Sequence, residues 1–286
     1  MSQIVYVNGE FVPAAEAKVS VFDRGFLMAD AVYEVTSVVG GKLLAFDGHI
    51  ERLQRSLSEL EMASPVTMDE LLQIHRDLIA KNNLEEGGIY LQVTRGAPDA
   101  RDFAWPDPAE VPSGIVLFTF EKPLIDSAIM DAGIKVMSIA DERWGRRDIK
   151  TTQLLYPSFA KMQAKKQGCQ DAWLVEDGYV TEGTANNAYI VKDGVIITRE
   201  LSTDILHGIT RAAILRFAIE AQMKVEERLF TIEEAQNADE AFVTSATGFA
   251  QPVIEIDGAQ IGTGVPGDIS KRLREIYTEE MIKAAI

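Results

Sequence analysis

The chain has 286 residues, room for one large or two medium domains, and 47% apolar with 25% charged residues describes an ordinary globular protein. Lys and Arg number 28 against 44 Asp and Glu, and the formal charge of −16 sets the surface against nucleic acid and anionic membranes. No apolar run approaches the ~20 residues of a membrane span, residues 1–6 lack the basic start and apolar core of a signal peptide, and the single Cys169 excludes a disulfide framework, so a reducing cytosol is expected. An anionic ligand must then be held by local arginines or by backbone amides.

Taken in order, Ile4-Val5-Tyr6-Val7, Asn8-Gly9 and Glu10-Phe11-Val12 predict a hairpin with an Asn-Gly turn. Residues 31–39 are rich in β-branched side chains and predict a strand, which Gly40-Gly41 turns into 42–46. Asp47 is the expected cap of a helix with apolar residues at Ile50, Leu53, Leu57 and Leu60. Thr67-Met68-Asp69-Glu70 is a capping box for a second helix running to Asn82. Residues 89–94 predict a strand ending at Arg95-Gly96. Residues 97–113 hold four prolines and predict a long loop, a length uncommon unless the loop binds something. After a strand at 115–120, Glu121-Lys122-Pro123 begins a linker. The expected division is an N-terminal domain at 1–120, a linker at 121–128 and a C-terminal domain at 129–286.

In the second half a strand at 134–139 leads to Arg146-Arg147-Asp148-Ile149-Lys150-Thr151-Thr152, and a helical pattern at 153–167 leads away. Residues 172–175 and 179–180 predict a hairpin around Asp177-Gly178, interrupted at Thr181-Glu182-Gly183-Thr184 before strands at 188–191 and 195–198. Gly208-Ile209-Thr210-Arg211 opens a helix to Met223, short strands follow at 240–244 and 253–256, and a helix over 268–282 closes the chain. The fold class is α+β in two domains, with mostly antiparallel strands.

Several residues invite a chemical reading. Arg143, Arg146 and Arg147 lie within seven residues of Lys150; close in space, their charge would disfavour its ammonium form, and a neutral amine is what a lysine nucleophile requires. The same residues also read as a basic surface loop. Gly208-Ile209-Thr210 at a helix start can cup an anion, as can the small-residue turn Ser245-Ala246-Thr247-Gly248. Glu182, at a strand end before Gly183, is a carboxylate that can be aimed. Arg101 in the proline-rich loop can grip a carboxylate with its planar fork. His49, His75 and His207 show no metal-ligand spacing, so no metal is expected. Gly262-Thr263-Gly264-Val265-Pro266-Gly267 matches a dinucleotide fingerprint in letters but leaves no room for the βαβ unit that gives it meaning.

Phe22-Asp23-Arg24-Gly25, Asp30-Ala31-Val32-Tyr33-Glu34, His49-Ile50-Glu51-Arg52-Leu53, Asp148-Ile149-Lys150, Thr181-Glu182-Gly183 with Asn186-Asn187, Gly208-Ile209-Thr210-Arg211 and Phe242-Val243-Thr244-Ser245 together resemble the fold-type IV, class IV aminotransferases, in that family's order and over essentially the whole chain. The resemblance implies a pyridoxal 5′-phosphate enzyme with the cofactor at the domain interface. Lys150 would be its Schiff-base lysine, and Glu182 would pair with the ring nitrogen. Arg52, Gly208, Ile209, Thr210, Ser245 and Ala246 would hold the phosphate, and Leu206 would back the ring. Among the members, D-amino-acid transaminases are most similar, through Ile89-Tyr90-Leu91-Gln92-Val93-Thr94-Arg95-Gly96, Gly168-Cys169 and residues 252–258. Tyr33 and Arg101 then match their carboxylate trap, while Phe103 stands where they carry a histidine and the loop has one more residue. The implied reaction joins a D-amino acid such as D-alanine or D-glutamate to 2-oxoglutarate or pyruvate, in a cytoplasmic homodimer whose loop near Arg101 completes the neighbouring active site. A branched-chain L-amino-acid transaminase, an (R)-amine transaminase and 4-amino-4-deoxychorismate lyase are the alternatives.

Overall fold

The structure is a computed structural model that describes residues 3–127 and 132–286. It divides into two compact units, residues 1–123 with 149–153 and 284–286, and residues 124–148 with 154–283. The last residue of the expected linker and residues 129–131 at the expected start of the second domain lie outside the described residues. Lys150, expected in the C-terminal domain, clusters with the first unit because its segment is hydrogen-bonded to that unit's sheet.

The first unit is a six-stranded antiparallel sheet in the order β2-β1-β6-β5-β3-β4. Its strands are β1 (Ile4–Val7), β2 (Glu10–Pro13), β3 (Ala31–Val39), β4 (Lys42–Leu43), β5 (Glu86–Thr94) and β6 (Gly114–Glu121). A short helix, α1 (Arg24–Met28), precedes β3 and is capped by Asp23, whose carboxylate accepts from the amides of Gly25 and Phe26. Helix α2 (Phe46–Glu59) lays Ile50, Leu53 and Leu57 against the sheet at helical spacing. It starts one residue before Asp47 and lacks the expected side-chain cap, because Ala45 turns the chain in the left-handed conformation. Helix α3 (Met68–Asn82) carries the Thr67–Glu70 capping box in full.

β5 begins three residues before the expected strand, at Glu86-Gly87-Gly88. Glycine is a poor strand former, which hid this start, yet the geometry requires it. Gly87 has φ +150°, and a Cβ there would lie 2.0 Å from the Phe120 carbonyl oxygen of β6.

The second unit is built on a nine-stranded sheet, β12-β11-β10-β13-β14-β7-β8-β9 with β15 on β14. The strands are β7 (Ile134–Ala140), β8 (Asp171–Glu176), β9 (Tyr179–Gly183), β10 (Asn187–Lys192), β11 (Val195–Thr198), β12 (Lys224–Glu227), β13 (Glu240–Ser245), β14 (Phe249–Ile256) and β15 (Ala259–Gln260). Three of its pairings are parallel, β11 with β12 and β7 with both β14 and β8, so the sheet is more mixed than expected. β9 runs unbroken through Thr181, Glu182 and Gly183, which therefore extend the strand rather than interrupt it.

Helix α4 (Leu155–Lys166) sets Ala160 and Ala164 on Ala172 and Leu174. Helices α5 (Ile209–Glu220) and α7 (Asp268–Lys283) meet through Phe217 and Tyr277, and a short α6 (Ile232–Gln236) covers β14. Trp173, Phe230, Ile190 and Val243 lie in the core, and each fully buried side chain of this size contributes on the order of 2 kcal/mol. Among the described residues no helix is long and apolar enough to cross a membrane.

Gly87→Ala is expected to lower the unfolding free energy by about 2 kcal/mol or more, from backbone strain and the clash with Phe120, whereas Gly145→Ala, with nothing near its Cβ, is expected to change it by less than about 1 kcal/mol. Urea unfolding of the two variants checks the difference.

Candidate active site

In the first unit, residues 149–153 lie along the start of β3. The amide of Tyr33 donates to the Lys150 carbonyl at 2.9 Å, and the amide of Thr152 donates to the Ala31 carbonyl at 3.0 Å. A bridge pairs Val32 with Thr151, and the Lys150 amide reaches Ser56 Oγ of α2 at 3.4 Å. The lysine is thus fixed by its backbone while its side chain is left available. Among the described residues Lys150 Nζ has no hydrogen bond or ion pair; it lies 4.2 Å from the centre of the Tyr33 ring, which in turn stacks on Tyr90. An amine so placed can condense with a carbonyl without first breaking a salt bridge.

The next residue of β3 is Glu34, and strand alternation sends it to the other face from Tyr33. It is buried and held on both oxygens: Arg52 Nε donates to Oε1 and Nη2 to Oε2, each at 2.7 Å, and His49 Nδ1 lies 2.8 Å from Oε2. Burial alone would raise the carboxyl pKa, but Arg52 and His49 overcome it and hold Glu34 at about 2. Burial in turn depresses the His49 pKa, against the pull of Glu34. Arg52 therefore enters any ligand site already oriented by Glu34. Sequence spacing placed Arg52 and His49 on one helix, but nothing in it marked Glu34 as their partner.

The proline-rich loop at 97–113 is anchored from below by Arg24, which is buried. Its guanidinium donates to the carbonyls of Asp102, Ala104 and Phe103 at 2.5, 3.2 and 3.4 Å, and to Asp30 at 2.7 Å. Arg95, also on Asp30, stacks 3.9 Å from the Trp105 ring centre. Arg101 itself is exposed and lies 4.9 Å from the Phe103 ring centre. Among the described residues no hydrogen bond joins Arg101 to Tyr33 within one chain.

In the second unit, Glu182 of β9 is buried and receives three donors. Arg143 Nη1 reaches Oε1 at 2.6 Å, while Asn187 Nδ2 and the Leu206 amide reach Oε2 at 3.0 and 3.1 Å. A carboxylate has about four acceptor sites, so one on Oε1 can still take an N–H. Burial pushes the Glu182 pKa up, opposed by Arg143 and the Leu206 amide. Asn187 also donates to the Leu206 carbonyl at 2.9 Å, fixing the chain that leads into α5. A Cβ at Gly208 would fall 2.1 Å from Asn187 Oδ1 and would press on that hydrogen-bonded side chain, and a Cβ at Gly183 would displace the side chain of Asn186.

Helix α5 starts after Gly208 with no side-chain cap, so the first-turn amides at Ile209 and Thr210 can receive an anion. The Thr210 side chain is buried, and Arg211 turns away to the Arg199 carbonyl and Glu227. The turn from Ser245 to Gly248 closes through the Gly248 amide at 3.3 Å, and Arg274 of α7 holds the Gly248 carbonyl at 2.9 Å.

The three arginines upstream of Lys150 all face carboxylates: Arg143 faces Asp141 and Glu182, Arg146 faces Asp148, and Arg147 faces Glu176. Each of the three is thus committed to an ion pair. Among the described residues no group of His, Cys, Asp and Glu could hold a metal ion.

The family described as amino-transferase class IV matches residues 31–256. A D-alanine aminotransferase of Staphylococcus haemolyticus is 38% identical over 96% of this chain and 96% of its own length. One of Listeria monocytogenes serotype 4b is 36% identical over 98% and 96%. Among solved structures, a branched-chain amino acid aminotransferase of T.th. with pyridoxamine 5′-phosphate superposes with TM-score 0.89 at 27% identity, covering 98% of this chain and 94% of its own. The branched-chain enzyme of Escherichia coli gives 0.86 at 26%, covering 98% and 95%.

Because Glu34 has its folded pKa at about 2, below the ordinary 4.5, its contribution to stability is present above pH 4.5 and is lost as the pH falls towards 2. In a His49→Gln background, which removes the imidazole that titrates in the same range, protein with Glu34 is expected to lose more unfolding free energy between about pH 6 and pH 3 than protein carrying Glu34→Gln. Urea unfolding at the two pH values tests this, and equal losses would remove the assigned ionisation.

Proposed function

The chain belongs to the class IV aminotransferase family, and we propose that it transfers the amino group of a D-amino acid, of the D-alanine or D-glutamate type, to a 2-oxo acid such as 2-oxoglutarate or pyruvate, using pyridoxal 5′-phosphate. The observation that carries the reading is the Lys150 amine, tied to β3 by its backbone and left without an ion pair among the described residues. The D-amino-acid preference rests on relatives at 36–38% identity over nearly the whole chain.

The residues suit the cofactor. Glu182 has room for one more N–H, α5 begins with amides that no side chain caps, and Arg52 is a guanidinium already braced by Glu34. When bound, the cofactor supplies a carbonyl that captures amines and a ring that spreads the electron pair left at a deprotonated carbon. Lys150 is the proposed attachment point. With the cofactor bound, the Lys150 amine would be the group that holds and moves the proton of the substrate α-carbon, as general base and acid. Glu182 would keep the proton on the ring nitrogen. Arg52, Gly208, the Ile209 and Thr210 amides and the Ser245-Ala246 turn would be the groups that hold the phosphate, and Leu206 would back the ring. Ala246 contributes a backbone amide only, since it has no hydroxyl.

Tyr33 and Arg101 are the proposed grip on the substrate carboxylate. Arg101 would act from the loop of a neighbouring subunit in a homodimer, a reading supported by its exposure and by the anchoring of the loop from below by Arg24. Phe103, 76% exposed, brings an apolar ring where related transaminases carry a histidine donor. It favours a second reading, in which a bulkier or less polar donor such as a branched-chain amino acid or an (R)-amine is preferred. The proposed location is the cytoplasm, where the single Cys169 stays reduced.

Purified enzyme is mixed with D-alanine, L-leucine or (R)-1-phenylethylamine, and conversion of the cofactor is followed by its visible absorbance. D-Alanine is expected to convert it, with 2-oxoglutarate regenerating the starting spectrum. Conversion by L-leucine and not by D-alanine would replace the first reading with the second. Lys150→Ala is expected to lower turnover by at least about a hundredfold while the protein still folds; full turnover in that variant would remove Lys150 from the mechanism.

A further inference from the structure

Arg143 stands out among the buried charges because both edges of its guanidinium are committed. It follows β7 in the loop that leads to Lys150. One edge lies on Asp141, with Nε 2.9 Å from Oδ1 and Nη2 2.7 Å from Oδ2, and the Arg143 amide also reaches Oδ1 at 3.2 Å. The remaining nitrogen, Nη1, points at Glu182 Oε1 at 2.6 Å. Asp141 is itself fixed by Thr181 Oγ1, one residue before Glu182 in β9, at 2.7 Å, and by Arg147 Nη1 at 3.6 Å. A planar fork held this way cannot rotate, so its third donor has one direction.

We propose that Arg143, clamped by Asp141, is the positioning residue that anchors Glu182 on one oxygen and aims its remaining acceptor site at the ring nitrogen of the cofactor. This rests on the reading of Glu182 as the acceptor of the ring N–H. The groups that face Glu182 are Arg143 and Asp141 from the loop after β7, the Asn187 amide from β10 and the Leu206 backbone amide. Among the described residues that face it, Arg143 is the one cation. Burial favours the neutral carboxyl, and Arg143 opposes it. With Arg143 gone, neutral donors alone face a buried carboxylate. Glu182 then takes a proton and swings from its direction, and its bond to a ring nitrogen becomes one between neutral groups, about half as strong as a charge-assisted one.

The readout is ring-nitrogen preference: the ratio of dissociation constants of apoenzyme for pyridoxal 5′-phosphate and for its 1-deaza analogue, in which C–H replaces the ring nitrogen, measured by equilibrium dialysis. Wild type is expected to prefer the nitrogen-bearing ligand, and Arg143→Gln to reduce that preference about tenfold. Arg143→Lys keeps the charge but loses the fork, and is expected to lower it by a smaller factor; it reads the same ratio should the glutamine variant not fold. In a Glu182→Gln background Arg143→Gln is expected to change the ratio no further. Equal weakening of both ligands with the ratio unchanged would make Arg143 merely structural and overturn the proposal, as would a full tenfold loss in the Glu182→Gln background. Wild-type enzyme that binds pyridoxal phosphate with no preference would overturn the role of Glu182 itself, and this inference with it. Wild type that binds neither ligand would overturn the cofactor reading.

Discussion

The position of Lys150 is set by two backbone hydrogen bonds, Tyr33 N to Lys150 O and Thr152 N to Ala31 O. They attach a five-residue segment, 149–153, to a strand more than a hundred residues earlier in the chain, and they are why this segment clusters with the first unit while the residues on both sides of it belong to the second. Because main-chain groups make the attachment, the side chain carries no structural duty. Its amine rests over an aromatic ring and stays out of ion pairs among the described residues. The same strand supplies Tyr33 on one face and Glu34 on the other, so one register decides the surroundings of the lysine and the orientation of Arg52 together. A one-residue slip of that register would exchange the two faces.

A protein with net charge −16 nevertheless buries carboxylates, and the structure shows how it keeps them tolerable. Glu34, Asp141 and Glu182 each face a guanidinium with bonds of 2.6–2.9 Å, and each carries further donors. A buried ion pair offsets its desolvation only when geometry and hydrogen bonding are this complete, and such pairs serve specificity of arrangement more than stability. Glu34 and Glu182 differ instructively. The first is encircled by a bidentate arginine and a histidine, and its pKa falls; the second receives one arginine N–H and two neutral donors, and burial keeps its pKa raised. The carboxylate with an acceptor site left over is the one suited to share a proton with a ligand.

Much of the architecture was legible because it depends on neighbours in sequence. The Asn-Gly hairpin, the Thr67–Glu70 capping box, the β-branched run of β3 and the apolar stripe of α2 are all local, and all are present. The misses have identifiable physical causes. Gly87 and Gly88 concealed the start of β5, because a sequence rule reads glycine as a strand breaker while a close approach of β6 demands it. Asp47 has the chemistry of a cap but sits inside the first turn, after a left-handed Ala45. The parallel pairings of β7 and the short β12 depend on partners far along the chain, where no periodicity helps.

By itself the sequence determined the kinds of groups available: a lysine among arginines, a carboxylate at a strand end, glycine turns before helices, and motif order enough to place the chain in its family. Spacing along a chain reports on neighbours within a helix turn or a strand pair, and the family resemblance of the motifs singled out Lys150, Glu182 and Arg52 without saying what holds them. Only the tertiary structure decided that Arg143 serves Asp141 and Glu182, that Glu34 braces Arg52, and that the Asn187 side chain packs where a Cβ on residue 208 would press on it. Arg143 and Glu182 lie 39 residues apart and Glu34 and Arg52 lie 18 apart, and hydrogen bonds of defined direction between such residues exist only once the sheets have brought their backbones together.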